Sequence, residues 1–404
     1  MGFAQGVSGL NASASNLDVI GNNIANSGTI GFKSGSAQFS DVYAGSRVGL
    51  GVDVVGVSQN FSAGAVQTSS RALDVAITNG DGMFRLSSPA GGIAYSRSGQ
   101  FNMDKSGFIV NSGGYQLTGF PASINGAVAG NSPIPLQVPT AAIAPKQTDK
   151  LQAQFNLDSR SATPVLTTFD SGNSATYNYA NSVTVFDSLG NSHELATFFV
   201  KTAAPNKWDV YAAADGATAN TAPALVSLTF DTKGVMDPLA QNFSVGPLDF
   251  KNGSSTTMTV AVDVTGTTQF GNANAVNKLA QNGYTSGALS SFAIEKDGKI
   301  TGKYSNEQTQ SLGQVVLSSF MNPNGLKSLG GNMYAETAAS GGPLTGAPGS
   351  GTKLGALTSG AVESSNVDLT SELVSLIIAQ RTYQANAQTV KTQDQVLQTL
   401  VNLR

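Results

Sequence analysis

The chain has 404 residues, enough for two to four domains and a substantial core, yet only 12% of them are charged and the net charge is -3. That balance argues against nucleic acid, which needs clustered Lys and Arg to neutralise phosphates, and against membrane-surface binding, which needs a polybasic stretch. With no cysteine there are no disulfides, thiolate zinc sites or cysteine nucleophiles, and the single histidine, His193, leaves little room for histidine-based catalysis or metal binding.

The chain opens MGFAQGVSGLNASASNLDVI, without the basic start and apolar run of a secretory signal. Gly2 does not make a myristoylation motif, because Gly6 stands where Ser or Thr is needed. The longest apolar run, LVSLIIA at 373–379, falls far short of the ~20 residues of a membrane span. A soluble chain is therefore expected, one that leaves the cell, if it does, by a route that cleaves no signal. Gly, Ser, Thr, Asn and Ala fill the place of the missing charges, a composition common in extracellular and polymer-forming proteins.

From Phe3, apolar or small residues recur at Val7, Leu10, Ala14, Leu17, Gly21 and Ile24, in alternating steps of four and three. This heptad rhythm predicts a helix that packs along its length. It runs into VIGNNIANSGTIGFK, 19–33. Asn22, Asn23 and Asn26 can satisfy backbone groups where a helix frays, and Gly28 and Gly31 let the chain turn. Phe32 would anchor the chain after the turn. A local cap needs one Gly or Asn; six within 21–31 favour a joint between a rigid helix and the outer domains. Residues 31–71 read as its linking segment.

Short strands are then expected at 73–77, 83–86, 93–97, 100–103 and 108–110, separated by TNGDG, PAGG and DKSG turns. A Pro-containing stretch from Phe120 reads as a linker. A second β region comes next, with a meander over 182–212 and further strands at 225–230 and 258–264. His193 falls in that meander as a strand residue near a turn. His193-Glu194 is no zinc motif, because Thr197 stands where a second His would be required. A hairpin around Asp297-Gly298 and a strand at 312–320 complete the β portion. GGPLTGAPGSGTK, 341–353, lacks phosphate-loop spacing and reads as a flexible loop.

The C-terminal segment repeats the four-three rhythm at Leu369, Leu373, Leu376, Gln380, Tyr383, Ala387, Val390, Asp394, Leu397 and Val401, with Ile377 beside it and Gln380 and Asp394 interrupting. Ser365 and Asp368 suggest a capping box. At ~1.5 Å per residue the two terminal helices would reach about 35 and 55 Å. Long helices with apolar seams must bury them. An intramolecular hairpin is one solution, and other copies of the same chain are the economical one. The fold expected is multidomain α+β. Terminal helices (1–30 and 361–404) form a coiled-coil-like axial domain. Mostly antiparallel β domains are nested within it, 72–145 with 285–360 as the middle one and 146–284 as the outer one.

These residues carry a resemblance. LDVIGNNIANSGTIGFK resembles the N-terminal signature of the bacterial flagellar axial proteins, the rod and hook families. LDVAITNGDGMFRL, YSRSGQFNMDKSGFIVNSGGYQLTGFP and YSNEQTQSLGQVVLSSFMNPNGLKSLGGNMYAET resemble the β domain of that family, and 365–404 resembles its C-terminal axial helix. VTVFDSLGNSHELATFFVK resembles the outer domain of the hook branch. The resemblance implies a non-enzymatic homopolymer without cofactors, a tube at the cell exterior that bends while transmitting torque from rod to filament. It implies unfolded export through the flagellar apparatus and contact with cap, distal rod, junction and length-ruler proteins. It implies the terminal seams as subunit-packing surfaces. Two alternatives stand beside it: a rigid distal rod subunit, which mostly lacks an insertion like 146–284, and a β-rich surface adhesin.

Overall fold

The structure, a computed structural model, describes residues 3–42, 49–122, 132–166, 168–218, 223–238, 241–255, 258–349 and 353–402. The chain folds as two compact units. The first comprises 1–140, 291–303 and 309–404, and the second 141–290 with 304–308.

In the first unit, helix α1 (Phe3–Ala25) and helix α2 (Leu369–Asn402) bracket the β structure in sequence. The segment read as a linker holds two antiparallel strands, β1 (Gly35–Val42) and β2 (Gly51–Gln59), with a register shift at Gln38/Phe39. Beyond them lies a mixed set of short, antiparallel-paired strands, among them Met83–Ser87, Ile93–Ser96, Gln116–Pro121, Thr309–Val315 and Met333–Ala335. Its core includes Met83, Tyr95, Phe320 and Tyr334, with the Tyr95 and Phe320 rings edge-on at 4.8 Å. Strand Ala361–Glu363 pairs with Val66–Thr68 and so ties the start of the C-terminal segment to the end of the N-terminal one.

The second unit is built from two sheets. One orders Asn242–Leu248, Met258–Asp263, Lys150–Asn156 and Ala275–Gln281. The other contains the meander Tyr179–Phe186, Ser192–Lys201 and Lys207–Ala214. Inward residues of both sheets, including Phe155, Val185, Leu195, Trp208 and Val260, share one core. Each face alternates along its strand, so burial selects one register. Trp208 is fully buried, and its indole N–H donates to Gln269 Oε1 at 2.9 Å.

One turn is used four times. At Asp104, Asn111, Asp187 and Asp231 the side-chain Oδ1 accepts the backbone N–H two and four residues on. The glycine three residues on (Gly107, Gly114, Gly190, Gly234) has a positive φ between 77° and 86°. The short side chain replaces missing ladder bonds, and glycine takes the left-handed position without a Cβ clash. Of the loop expected over 341–353, Leu344–Gly346 is a strand paired with Leu317–Ser319, and residues 350–352 lie outside those described. Residues 123–131 of the expected linker also lie outside them, while Ile134–Pro135 pairs with Gln116–Pro121.

Candidate functional site

Helices α1 and α2 run antiparallel and pack on each other within the chain, so the intramolecular hairpin is the arrangement adopted. The contact is made by small residues. A Cβ added to Gly6 would sit 2.9 Å from Val390 Cγ2, and one added to Gly9 would meet the Asn386 amide at 2.9 Å. Ala12, Ser13, Ile20 and Asn23 are buried on the same face of α1, and Ala379 on α2. Without Cβ atoms at Gly6 and Gly9 the two backbones can lie close. The cap of α2 differs from the expected box: Asp368 Oδ1 accepts the Thr370 and Ser371 N–H groups at 2.9 and 3.2 Å, and Ser365 caps only Val367 N–H locally.

The predicted apolar seam meets the row that joins the two helices at Val390 but is otherwise a different row. Phe3, Val7, Leu369, Leu373, Ile377, Tyr383 and Leu397 are exposed, Ile377 by 51% and Phe3 by 50%. Leu10, Leu17, Ile24, Leu376 and Val390 are half-buried, with Val390 over Gly6. The side chain of Val401 lies outside those described. The physical reason is periodicity: a helix of 3.6 residues per turn presents two different rows, and the chain closes on the small one. The β1–β2 hairpin adds more open apolar area. It packs on α1 through Gly51 beside Ser8 and Gly35 beside Val19, while Phe39, Val55 and Val57 remain exposed. A groove of about 520 Å³ runs between these elements, lined by Ala12, Ser13, Phe39, Ile378 and Asn386 among others.

The joint residues divide by role. Asn23 is buried and binds Gly35 in both directions, donating to its carbonyl at 2.8 Å and accepting its N–H at 2.9 Å, and it also donates to Glu372 Oε1 at 3.0 Å. One amide thus fastens α1, β1 and α2 together. Asn26 closes the last turn, donating to Asn22 O and Oδ1 at 2.9 Å and accepting the Thr29 hydroxyl at 3.1 Å. Gly31 has φ +70°, and a Cβ there would lie 2.6 Å from Ser98 N, so no side chain fits. Gly28 faces open space without a positive φ, so the expectation that it enables the turn is corrected: Gly31 alone does this. Phe32 is half-buried, its N–H donating to Thr29 O at 3.2 Å.

Below the joint lies a cluster that sequence reasoning missed. Lys33, Arg97 and Glu363 are 1%, 5% and 1% exposed. Glu363 Oε1 accepts Lys33 Nζ at 2.6 Å and Gly64 N–H at 2.9 Å, and Oε2 accepts Arg97 Nε at 2.6 Å. Lys33 also donates to Ser62 O at 2.6 Å, and Arg97 Nη1 to Gly82 O at 2.6 Å. Burial pushes the Lys33 amine below its ordinary range against the opposing pull of Glu363. Burial also pushes the Glu363 carboxyl upward, but the Arg97 charge and the bonds from Arg97, Lys33 and Gly64 outweigh it and hold the group below the usual carboxylate range. Asn366 continues the tie, accepting Ser34 N–H at 2.8 Å and donating to Asn60 O at 2.8 Å. The signals available were a lone Lys closing a Gly/Asn-rich stretch and a lone Glu before the C-terminal helix; nothing local connects them.

Among the described residues no group of three or more His, Cys, Asp or Glu could hold a metal ion, and no helix is long and apolar enough to cross a membrane. The arrangement presents two fastened helices carrying apolar rows that the chain itself leaves open.

Comparison with known proteins matches four family models: Flagella basal body rod protein over 5–33, Flagellar hook protein FlgE/F/G D1 domain over 76–152, Flagellar basal body protein FlaE D2 domain over 156–284, and Flagellar basal body rod FlgEFG protein C-terminal over 358–403. The chain is 47% identical to the flagellar hook protein FlgE of Escherichia coli (strain K12), with all of both chains covered. It is 31% identical to that of Borreliella burgdorferi, covering 99% of this chain and 98% of the relative. Among solved structures, Helicobacter pylori flagellar hook protein FlgE2 aligns with a TM-score of 0.54 at 14% identity, over 74% of this chain and 99% of that one, a likeness of fold.

Proposed function

This chain belongs to the flagellar hook protein family, and on that premise we propose how its copies assemble and what each part does in the hook. The chain is a structural subunit of the hook. Copies stack into a tube whose inner layer is the terminal helices. The single observation that carries this is the open apolar row of Leu369, Leu373 and Ile377 on a helix that already has its partner within the chain. Burying one such side chain contributes roughly 1.5–3 kcal/mol, so a few per subunit suffice to drive cooperative association. The chain is partitioned accordingly: 1–30 and 361–404 axial, 31–71 linking, 72–145 with 285–360 middle, 146–284 outer. Glu363 sits at the seam between the axial and middle parts, which it ties together.

Bending requires contacts that slide. Outer faces rich in Ser, Thr, Asn and Ala exchange water-mediated contacts at little cost, whereas large dry contacts lock one register. We assign stability of the tube to the termini and bending to the middle and outer domains. The chain acts without catalysis. It is exported unfolded, lies outside the cell, and meets cap, distal rod, junction and ruler proteins, all in keeping with its family.

The test is electron microscopy of the full chain beside a Leu373→Asp/Ile377→Asp variant after concentration and salting-out. Curved tubes from the parent and none from the variant, with unchanged circular dichroism, are expected. Normal tubes from the variant would overturn the seam. Straight parent tubes would favour a drive shaft over a joint.

A further inference from the structure

In the second unit His193, the sole histidine, lies at the second position of strand Ser192–Lys201, where three turns converge. Its Nδ1 is 2.6 Å from Asp215 Oδ2 and its Nε2 is 3.2 Å from Asp187 Oδ2. An ionised carboxylate can only accept a hydrogen bond, so the ring bonds both carboxylates at once only as imidazolium; the one donor beside it among the described residues is Asn252 Nδ2, 3.5 Å from Nε2. The ring stacks on Phe250 at 3.5 Å between centroids, 12° from parallel. Near Phe250 in the chain, Asn252 Nδ2 donates to Asp187 Oδ2 at 2.7 Å. Ser255 N–H donates to Ser188 Oγ at 2.8 Å.

We propose that His193 is a proton-operated latch: as imidazolium it fastens segment 249–255 and the turn at Asp215 to the hairpin turn at Asp187, and on losing its proton it releases 249–255. The charged groups around it are few. Asp187 comes from the hairpin turn and is 1% exposed, with Oδ1 already engaged by Leu189 and Asn191 N–H. Asp215 comes from the following turn, and its other oxygen accepts Glu194 N–H at 2.9 Å. Glu194 itself is exposed, as are Asp249 and Lys251 on the loop that carries Phe250. The two carboxylates that touch the ring therefore set the latch. A neutral ring would turn a lone pair toward one of them, and the buried Asp187 charge would lose its counter-ion.

Burial pulls the ring's titration down, but Asp215 and Asp187 together carry it above the ordinary histidine range. A group so raised stabilises the folded form fully below its unfolded midpoint, and that contribution is lost as pH rises through the folded one. The test uses the full chain. Nitrogen NMR of the single imidazole is recorded from pH 5 to 10 beside hydrogen exchange of amides 249–255, corrected for intrinsic rates. A ring midpoint above that of the same chain unfolded in urea is expected, with exchange of 249–255 rising in all about tenfold for each pH unit by which that midpoint is raised. His193→Gln should flatten the profile, and Asp215→Asn should lower the midpoint while the unit stays folded. A ring midpoint no higher than in the unfolded chain, a flat profile in the parent, or an unchanged slope in His193→Gln would each overturn the latch.

Discussion

Replacing Glu363 by Gln tests the base of the α1–α2 pair directly. The carboxylate neutralises two buried cations and accepts three hydrogen bonds, from Lys33, Arg97 and Gly64. Glutamine keeps the shape but has one accepting oxygen, so its NH₂ must face Lys33 or Arg97 donors. One charge-assisted bond is lost, about 1.5–3 kcal/mol. Two buried cations are also left without a counter-charge, which brings the expected loss to about 3–5 kcal/mol. The single tryptophan, Trp208, belongs to the second unit and is fully buried there. Its fluorescence in urea therefore follows the second unit, while circular dichroism follows both. The expected result is a large downward shift of the first unit's transition with the Trp208 transition unmoved. A loss under about 1 kcal/mol would refute the account of the triad. The pH dependence has a definite sign. A carboxyl held below its ordinary 4.5 stabilises the fold above that value and loses the contribution as pH falls through the folded one. The parent should therefore lose first-unit stability below about pH 4.5, and Glu363→Gln should lose less of it.

Three further outcomes are expected. Gly31→Ala should destabilise the first unit in thermal unfolding by about 1 kcal/mol or more, because the new Cβ would lie 2.6 Å from Ser98 N at φ +70°, whereas Gly28→Ala should be neutral or slightly stabilising. Gly6→Leu should part α1 from α2, read as faster amide exchange in α1 with no change in Trp208 fluorescence, since even a bare Cβ meets Val390 at 2.9 Å. Excision of 146–284 should leave polymers of altered curvature in electron micrographs; unchanged curvature would count against the outer domain's part in bending.

The helices and most turns were legible because their signals are local. The heptad steps needed only α-helical periodicity, and the turn at Asp104 announces itself as DKSG, an acidic residue three before glycine. The β1–β2 hairpin was not legible: GSAQFSDV and GVDVVGVSQ mix Gly, Ser and Asp into the strands, and α1 packing against Gly35 and Gly51 supplies what propensity does not. The triad was invisible for a different reason. Glu363 lies 330 positions from Lys33 and 266 from Arg97, and only the folded backbone brings them together. The seam was half legible. Its rhythm marked a helix correctly but could not say which of two rows the chain would use on itself.

That choice of row bears on how a subunit can both hold together and remain available. If Leu369, Leu373 and Ile377 faced α1, the apolar area of that row would be spent within one chain and less would remain to drive association. The chain instead closes α1 on α2 through Gly6, Gly9, Ser13 and Asn386, a contact with few buried methylenes and so a small intrinsic free energy. Its orientation is set lower down, where Asn23 grips Gly35 and Glu372 and where Glu363 grips Lys33 and Arg97. A contact of small residues above a strongly fastened base leaves the outward row presented. In the assembly proposed above, association with neighbours supplies the burial that the small-residue row omits.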